Sequence, residues 1–380
     1  MKLKKYKLYE IADLNKSSIS NSDNTLSEII YLDTSSITEN VILCTCKMSI
    51  HEAPSRAQRR VKKNTILYST VRPRLKHYGI LSSPEANLIV STGFVTIDVK
   101  SEFQNSVDAR FLFLLLTQPH ITEYIASIAD SAVSAYPSFN PSDISALEFE
   151  FPEMNIQTHI ADIWKYYDSK IELNRQINDN LEEQLRLITS RYIFGRLNLE
   201  KKRIGEIATI KAGGDCPITF SKTRTQECNI PIFSNGTEDR GLYGFTNKAN
   251  IEGHSITIAA RGTIGHCERR LMPFVPIIRL LAITPKEDGA YIYLHQVIKG
   301  MKFKKNGSVQ QQLTVPEISF IEIPYPHSSV LSEYNKVASP IVEMIEHNIS
   351  ENEFLAKQRD ELLPLLMNGQ ATVNYHLSDD

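Results

Sequence analysis

The chain has 380 residues, of which 42% are hydrophobic and 23% are charged, and its formal net charge is −2 at pH 7. This length gives room for roughly two or three domains with cores of their own, and the composition is that of a soluble globular protein. The longest apolar run, residues 111–116, is far shorter than a membrane-spanning helix, so we expect no membrane partner.

The N-terminus and the cysteines predict a cytoplasmic protein. Residues 1–6 include basic side chains but no apolar run follows them, so the sequence predicts no signal peptide. The five cysteines are scattered and odd in number, which favours reduced thiols over a disulfide framework.

Residues 1–152, the first repeat, are predicted to mix strands with one helix. Short runs rich in β-branched and aromatic residues lie between Ser, Asn and Pro turns. These runs are residues 29–32, 41–43, 65–68 and 94–97. A helix is predicted from about residue 108 to residue 129, because apolar residues recur on nearly every face of that segment.

Residues 153–195, the central helix, have the spacing of a coiled coil. Large or apolar residues recur at steps of three or four, about 3.5 residues apart on average. The predicted seam positions are Ile160, Ile163, Tyr167, Ile171, Asn174, Ile177, Leu181, Leu185 and Ile188. At 1.5 Å per residue, a helix of about 35 residues is roughly 50 Å long.

Residues 196–326, the second repeat, follow the order of the first. Residues 255–258 and 280–283 are predicted strands, and residues 290–298 are the matching helix.

Residues 327–370, the distal helix, have a less regular seam and precede a tail, residues 371–380. The predicted seam positions are Tyr334, Val337, Ile341, Ile345, Asn348, Leu355, Leu362 and Leu366. Since neither long helix has a core of its own, we expect each to pack against the other.

Three pairs of similar segments define the repeat. They are residues 8–12 with 204–208, 143–152 with 317–326, and 171–174 with 345–348. Two repeats in one chain are most simply related by a pseudo-two-fold axis, which would make the helices antiparallel. The sequence therefore predicts the α+β class, with two mixed α/β domains separated by two long antiparallel coiled-coil helices.

Asn174 and Asn348 occupy equivalent positions near the middle of their helices. We expect them to face each other near the axis, because a buried asparagine pair fixes the register of a coiled coil at some cost in stability. The alternative is that both are exposed at the edge of the seam.

Charge is unevenly distributed along the chain. Residues 47–77 contain nine Lys or Arg and one acid, Glu52. Residues 155–188 contain six acids against four bases, and residues 328–370 contain seven against three. This pattern favours a polyanion as the partner of the repeats and a protein as the partner of the helices.

The second repeat carries the most recognisable segments, residues 230–236, 241–244 and 258–265, and the first repeat has residues 64–72 where the second approaches Arg261. The order of these segments, their duplication and the two helices resemble the specificity subunits of type I restriction-modification systems. The resemblance covers nearly the whole chain.

That resemblance implies two target-recognition domains, each gripping double-stranded DNA and reading one half of a bipartite target. Because the repeats have diverged, we expect the two half-sites to differ. The helices would act as a spacer and as docking surfaces for two methyltransferase subunits, which would carry S-adenosylmethionine and flip out an adenine. Restriction subunits would join the same assembly, and this chain would bind no cofactor itself.

Basic residues are the main candidates for DNA contacts, since arginine and lysine bind phosphates and arginine also reads guanine edges. In the first repeat they are Arg56, Arg59, Arg60, Lys62, Lys63, Arg72, Arg74 and Lys76. The alternative for this cluster is a solvated basic loop.

The second repeat offers basic residues and several polar ones. Its candidates are Arg224, Asn235, Arg240, Arg261, Thr263, Arg269, Arg270, Lys302, Lys304, Lys305 and Gln310. Gln310 and its neighbours Gln311 and Gln312 could pair with adenine edges or serve as turn residues. Asn235 is first a turn signal before Gly236, and residues 261–263 could be a strand end whose glycine admits a phosphate.

No catalytic or metal-binding pattern is found in the sequence. There is no P-loop and no His-Glu-x-x-His motif. Residues 140–143 lack the second proline and the aromatic residue of an adenine methyltransferase site, and residues 200–202 lack the acidic partner of a nuclease site. Cys44 and Cys46 have no second pair at zinc spacing, so we expect buried thiols there.

We therefore expect a non-catalytic subunit without a metal. Two alternatives remain open from the sequence. One is a coiled-coil adaptor or scaffold whose basic loops bind a protein or RNA, and the other is the recognition part of a fused restriction-methylation enzyme.

Overall fold

The computed structural model describes residues 3–19, 27–131, 137–195, 199–287, 289–303 and 312–371. The chain forms two compact units, of which unit 1 comprises Met1–Lys170 and Leu355–Asp380 and unit 2 comprises Ile171–Phe354. Both boundaries fall inside long helices, so each unit contains part of each helix. The predicted α+β class, with two repeated mixed domains and two long helices, is confirmed.

Unit 1 combines two main sheets with short helices. Its strands are β1 (Lys4–Lys7), β2 (Ala12–Leu14), β3 (Glu28–Leu32), β4 (Ile37–Thr38), β5 (Val41–Ile42), β6 (Cys46–Ser49), β7 (Ala57–Arg60), β8 (Thr65–Ser69), β9 (Tyr78–Leu81), β10 (Leu88–Ser91), β11 (Phe94–Val99) and β12 (Glu148–Phe151). Its helices are α1 (Leu8–Ile11), α2 (Ala109–Leu116), α3 (Pro119–Ser131), α4 (Pro141–Ser145) and the first part of α5 (Met154–Thr189). The main sheets have the strand orders β6-β3-β10-β7 and β2-β11-β8-β9.

The single helix predicted for residues 108–129 is wrong, because the segment forms α2 and α3 instead. Pro119 is the first residue of α3. Proline has no backbone N–H and clashes with the preceding turn, so it is accepted at the start of a helix but ends one that reaches it.

The core of unit 1 lies between a sheet and the long helices. Ile66 and Val95 of the β2-β11-β8-β9 sheet pack with Phe111 of α2, Trp164 of α5 and Leu363 of the last helix. Strands β8 and β11 are buried along their whole length, which explains why most of their residues are apolar, aromatic or β-branched, with Asp98 as the charged exception.

Unit 2 repeats this arrangement with fewer strands. Its strands are β13 (Glu200–Arg203), β14 (Ala208–Ala212), β15 (Ile230–Phe233), β16 (Leu242–Thr246), β17 (Ser255–Ile258), β18 (Cys267–Arg270), β19 (Val275–Pro276), β20 (Leu281–Pro285) and β21 (Glu322–Tyr325). Its helices are α6 (Ile204–Ile207), α7 (Ala290–Lys299), α8 (Val315–Ser319) and the first part of α9 (Ser328–Met367), and a π-helical turn, Ser190–Phe194, follows α5. The sheet orders are β14-β20-β17-β18 and β16-β15-β19.

The opening and closing segments of each repeat pair with each other. In unit 1, β1 and β12 are antiparallel with Lys4 opposite Phe151, and in unit 2, β13 and β21 are antiparallel with Glu200 opposite Tyr325. The second strand of each pair, β12 or β21, is followed directly by a long helix, α5 or α9.

Helices α5 and α9 pack antiparallel within each unit. In unit 2, Asn174 hydrogen-bonds to Asn352 of α9. Thr189 lies later in α5, and its Oγ1 is 2.8 Å from the hydroxyl of Tyr334, which lies earlier in α9. Most predicted seam residues are buried or half-buried. Two predicted seam positions, Val337 and Ile177, are 38% and 36% exposed.

The seam of α9 therefore passes one residue away from the predicted position. Ala338 is buried where Val337 was expected. An α-helix has 3.6 residues per turn, so its contact face does not keep strictly to steps of three and four. A seam predicted from the largest side chains can therefore miss a small residue that faces the partner helix.

Asn174 and Asn348 are 1% and 6% exposed, so neither lies at an exposed edge of the seam. Asn174 donates from Nδ2 to Oδ1 of Asn352 at 2.9 Å, and Asn348 donates from Nδ2 to Oδ1 of Asn178 at 2.8 Å. These partners lie one helical turn away from the predicted direct pair. The four residues, Asn174, Asn178, Asn348 and Asn352, form two hydrogen-bonded pairs that we call the asparagine cluster.

Candidate nucleic-acid interface

Each unit presents the turn of one β-hairpin that the repeat makes equivalent. In unit 1, β8 and β9 pair from Thr65 opposite Leu81 to Tyr68 opposite Tyr78, and residues 70–77 form the turn. In unit 2, β17 and β18 pair from Ser255 opposite Arg270 onward, and residues 259–266 form the turn. We call these turns tip 1 and tip 2.

The same backbone contact holds both tips. Phe139 N–H donates to the Thr70 carbonyl at 3.1 Å in unit 1, and Leu313 N–H donates to the Ala260 carbonyl at 3.0 Å in unit 2. In both units the donor lies just before a short helix, α4 or α8. The tips are thus anchored turns and not free loops.

Both tips also contain a left-handed residue at the equivalent place. Arg72 has φ = 49° and Gly262 has φ = 67°. A Cβ built on Gly262 would meet nothing within 4 Å, so this glycine serves backbone conformation and not close packing. Arg72 and Arg261 are both exposed at these turns, one position apart when Thr70 is matched with Ala260.

The other cations of tip 1 are held by exposed ion pairs. Arg74 donates to Glu123 at 3.1 Å and to Asp130 at 2.7 Å, and Lys76 pairs with Glu39. Ion pairs this exposed contribute little to stability, because water screens them. A phosphate can therefore replace the carboxylates at little cost.

The structure divides the predicted basic cluster of the first repeat into three places. Arg56, Arg59 and Arg60 lie at or in β7, at the edge of the β6-β3-β10-β7 sheet. Lys62 and Lys63 lie at the opposite end of the β8–β9 hairpin from tip 1, so the predicted group does not form one patch.

Lys62 and Lys63 line an open cleft of unit 1. Ser82 and Lys165 line the same cleft, and Lys62 Nζ lies 3.9 Å from Asp98. The lysines are exposed, as a phosphate contact requires.

Arg59 is partly buried at the sheet edge. Its Nη1 donates to Ser18 Oγ at 3.2 Å, and its backbone forms a bridge with the same serine. Arg59 therefore helps to attach the segment around Ser18, while Arg56 is exposed.

In tip 2, Arg261 is joined to a glutamine. Its Nε and Nη2 both donate to Oε1 of Gln312, at 3.2 and 2.6 Å. Thr263 is exposed two residues further along the turn.

The side-chain amide of Asn235 hydrogen-bonds to the backbone, and its predicted DNA contact remains a prediction. Its Nδ2 donates to the Ile278 carbonyl at 2.6 Å, and its Oδ1 accepts from Ala260 N–H at 2.8 Å. Both ends of the amide are thus occupied, and the turn interpretation of Asn235 is the one the structure supports.

The side-chain amide of Asn235 also helps to position Arg279, a candidate that the sequence analysis missed. It connects the base of tip 2 to the turn at Ile278 and Arg279, whose φ angles are 51° and 65°. Arg279 is exposed beside tip 2. A basic residue directly before a buried strand was the available sequence signal.

Arg269 and Arg270 lie in the interior of unit 2 and Arg240 is half-buried, so burial argues against the DNA contacts predicted for them. Arg269 and Arg270 are each 5% exposed. Arg270 stacks with its guanidinium carbon 3.6 Å from the ring centre of Phe233 and donates to Thr257 Oγ1 at 3.0 Å.

Arg240 and Arg269 belong to an ion network that joins β18 to both long helices. Arg240 donates to Glu268 of β18 at 2.8 Å and to Glu346 of α9 at 2.9 Å. Arg269 pairs with Glu182 of α5, and Lys299 of α7 donates to the same carboxylate at 3.0 Å. A buried guanidinium is tolerated because these carboxylates offset its desolvation.

The network fixes the protonation of its members. Burial alone raises the pKa of Glu182, but the charges and hydrogen bonds of Arg269 and Lys299 outweigh it and lower the pKa to about 2. At Glu268, burial is likewise outweighed by His266 and Arg240, and the pKa falls to about 2. Both carboxylates are therefore ionised at neutral pH.

His295 of α7 is the neutral member of the network. Burial, supported by the charge of Arg269, lowers the pKa of His295 to about 3. Arg269 Nη1 lies 3.1 Å from His295 Nδ1. Since a guanidinium has no acceptor, Nδ1 must accept this hydrogen bond and carries no proton.

One model of a known protein family matches most of the chain. The model describes the type I restriction modification DNA specificity domain, and it matches residues 2–183 and 197–358. The chain belongs to this type I specificity family. Each match starts at the opening of a repeat and runs into a long helix, so the two matches correspond to the internal repeat.

Relatives in the type I specificity family cover most of the chain. The chain is 25% identical to the type I restriction enzyme HindI specificity subunit of Haemophilus influenzae, over 96% of this chain and 99% of that protein. It is 30% identical to a putative type I specificity subunit of Mycoplasma pneumoniae, over 63% of this chain and 77% of that protein. The crystal structure of a type I restriction-modification S subunit from M. genitalium has the same fold, with a TM-score of 0.57, 18% identity and 96% of each chain covered.

The remaining candidates of this type I specificity chain are surface residues or lie outside the described residues. Arg224 and Lys302 are exposed. Lys304, Lys305 and Gln310 lie outside the described residues.

The expectation of buried thiols at Cys44 and Cys46 is wrong, because both are exposed. Cys44 lies between β5 and β6, and Cys46 is the first residue of β6, which is an edge strand of its sheet. Within the described ranges, no group of three His, Cys, Asp or Glu residues is arranged to hold a metal ion. No helix in the part of the chain that the structure describes is long and apolar enough to span a membrane.

Proposed function

We propose that this chain is the DNA-reading subunit of a type I restriction-modification complex and that each repeat reads one half of a bipartite target. The observation that carries the proposal is the pair of equivalent, anchored tips, each with an exposed arginine. Anchored turns that present arginine suit base and phosphate contacts, because little ordering remains to be done on binding.

The two half-sites differ in this proposal. The contact to Thr70 matches the contact to Ala260, so Val71 corresponds to Arg261. Val71 is 36% exposed. An apolar side chain suits a thymine methyl group, whereas arginine suits guanine, so the same backbone position would read different bases.

The long helices dock two methyltransferase subunits. Support comes from large apolar side chains that both helices leave exposed, which is typical of protein-binding surfaces. They include Tyr166, Leu173 and Leu187 on α5 and Met344, Phe354 and Leu365 on α9. The methyltransferase subunits would carry S-adenosylmethionine and the catalytic residues, restriction subunits would cleave, and this chain would not be an enzyme by itself.

The helices also set the spacing of the half-sites. A straight helix of 36 residues, the length of α5, is roughly 54 Å long. Half-sites read from one face of B-DNA lie about 34–36 Å apart. Helices of this length are therefore long enough to act as the spacer.

A genome-wide map of N6-methyladenine tests the proposal. The map is compared between cells that express the chain with its methyltransferase partner and cells that lack only this chain. We expect a split, asymmetric motif that disappears with the chain. A methylation pattern that does not change, or a motif that is not split, would overturn the proposal.

Loss of one tip gives the matched control. Replacing Arg261 should alter only the half of the motif that unit 2 reads and leave the other half unchanged. If both halves change together, the two repeats do not read separate half-sites.

A further inference from the structure

Gln312 fixes the guanidinium of Arg261 in one orientation. The glutamine Oε1 accepts hydrogen bonds from both Nε and Nη2. These two bonds use two of the five N–H groups of the arginine. The two N–H groups of Nη1 and the second N–H group of Nη2 remain for a ligand.

The backbone under this pair is itself fixed. Ala260 N–H donates to Asn235 Oδ1 at 2.8 Å, and Ala259 N–H donates to the His266 carbonyl at 2.8 Å. On the other side, Leu313 follows Gln312 and donates to the Ala260 carbonyl, and Thr314 caps α8 by bonding with Glu317. Both side chains therefore start from anchored backbone.

We propose that Arg261 reads a guanine in the half-site of unit 2 and that Gln312 is the residue that positions it. Two parallel N–H donors of an arginine match O6 and N7 of guanine in the major groove. A free arginine must give up rotamer freedom to make that contact, and Gln312 removes part of the cost in advance. This inference rests on the proposed function of DNA reading.

Unit 1 lacks the pair, which makes the arrangement specific to one half-site. Under the match of Thr70 with Ala260 and Phe139 with Leu313, the equivalents of Arg261 and Gln312 are Val71 and Ser138. A serine hydroxyl and a valine cannot form this contact. The pair is therefore a feature of how unit 2 discriminates and not of the shared frame.

A double-mutant cycle on binding specificity tests the inference. The full chain, in complex with its methyltransferase subunits, is assayed with R261A, Q312A and R261A/Q312A on a randomised duplex library. We expect R261A to lose about tenfold or more of the preference for guanine at one position. Q312A should lose roughly 2- to 10-fold at the same position, and the double variant should match R261A, because Gln312 acts through Arg261.

Two further variants separate positioning from general damage. In Q312E a carboxylate can accept the same two N–H groups, so the preference for guanine should be retained or increased. In Q184A, an exposed glutamine on α5 is removed, and no position of the target should change.

Other outcomes would overturn the inference. If R261A weakens binding equally on all sequences and reduces its salt dependence, Arg261 is a phosphate contact. If the effects of R261A and Q312A add, Gln312 does not act through the arginine. If the unaltered complex shows no sequence preference at all, it is the proposed function that fails, which is a distinguishable result.

Discussion

Burial separates the arginines of unit 2 into two groups with different roles. The side chain of Arg269 is 4% exposed and is paired with Glu182 of α5, whereas Arg261 is exposed at tip 2. A desolvated guanidinium needs its carboxylates, so Arg269 stabilises the attachment of β18 to the long helices. An exposed arginine on an anchored turn remains available to a ligand.

Removing the carboxylate of Glu182 should destabilise unit 2. In E182Q, the nearly buried Arg269 loses the nearer of its two carboxylate partners, while Glu346 remains 3.8 Å away, and Lys299 loses its charged acceptor. We expect a loss of about 2–3 kcal/mol in the free energy of unfolding, measured by urea denaturation.

The next residue supplies the control for E182Q. Glu183 is ionised as well, but its carboxylate pairs at the surface with Arg186 at 2.6 Å. E183Q should cost far less than E182Q, because water screens this exposed ion pair. Equal losses in the two variants would mean that the buried network does not stabilise the fold.

Lys62 and Lys63 are predicted to bind phosphates. Replacing both by Ala should weaken binding on all sequences and reduce the slope of log K against log salt by roughly 0.9 per lost contact. The measurement is a salt titration of the full complex on target and random DNA. K357A removes a lysine from α9 as a control, and an unchanged slope in the double variant would show that Lys62 and Lys63 do not touch phosphates.

At the scale of the helices, the asparagine cluster follows the internal repeat. Asn178 Nδ2 donates to the Ile345 carbonyl at 3.2 Å, and Asn352 Nδ2 donates to the Ile171 carbonyl at 3.3 Å. These bonds correspond under the repeat, as do the two asparagine–asparagine bonds. A one-turn slip of the helices would leave buried amides unpaired, so the cluster selects one register.

The cluster should show strong coupling between its members. N178L leaves Asn348 without that acceptor, and N348L leaves Asn178 without that donor, so each single variant should cost about 1–3 kcal/mol. The double variant should cost less than the sum, with a coupling of roughly 0.5–3 kcal/mol. Urea denaturation of the four proteins measures this cycle.

An exposed asparagine on the same helix is the matched control. N180L should change stability by less than about 0.5 kcal/mol. If the losses from N178L and N348L simply add, the two amides do not depend on each other in the folded protein.

His295 of α7 should make the stability of unit 2 sensitive to acid. The unfolded chain protonates His295 near pH 6.5, whereas the pKa of His295 in the folded protein is about 3. Between these values the unfolded state binds more protons, so stability falls as the pH falls from about 7 towards 3. The contributions of Glu182 and Glu268 are present above the ordinary carboxyl pKa of 4.5 and are lost only towards about 2.

Replacing His295 by Asn tests this pH dependence. The asparagine Oδ1 can take the place of Nδ1 as the acceptor for Arg269 but does not titrate. The decrease in Tm between pH 7 and about pH 5 should be smaller in H295N than in the unaltered chain. An identical decrease would show that His295 does not control acid stability in this range.

At the scale of the whole molecule, the sequence predicts the repeated frame better than the candidate site. Equivalent segments such as 8–12 and 204–208 reveal the duplication, because both repeats must attach to the same kind of helix. Burial of Arg269 could not be read from the sequence, since its partner Glu182 is 87 residues away. The Arg261–Gln312 contact depends on a turn and a loop that meet only in the fold.

The two units differ in the number of chain segments that form them. Unit 2 is one continuous segment, and its main core, with Leu185, Ile256, Tyr293 and Tyr334, lies wholly within it. Unit 1 needs two segments, because Leu363 and Leu366 of α9 are 8% and 4% exposed in its core. Each buried leucine contributes about 2 kcal/mol, which is a large share of the stability of a domain.

This difference predicts the behaviour of fragments. A fragment of residues 171–354 should unfold cooperatively by itself, whereas a fragment of residues 1–170 should be much less stable. Adding a peptide of residues 355–371 should raise the Tm of the 1–170 fragment, because it returns the two leucines and brings Arg359 within 3.8 Å of Asp168. Thermal unfolding followed by circular dichroism measures both effects.

A peptide with L363A and L366A is the matched control. It keeps Arg359 but loses the apolar side chains, so it should raise the Tm little or not at all. If it works as well as the natural peptide, the ion pair and not the core drives the association. If residues 1–170 are as stable alone as with the natural peptide, α9 is not an essential part of the core of unit 1.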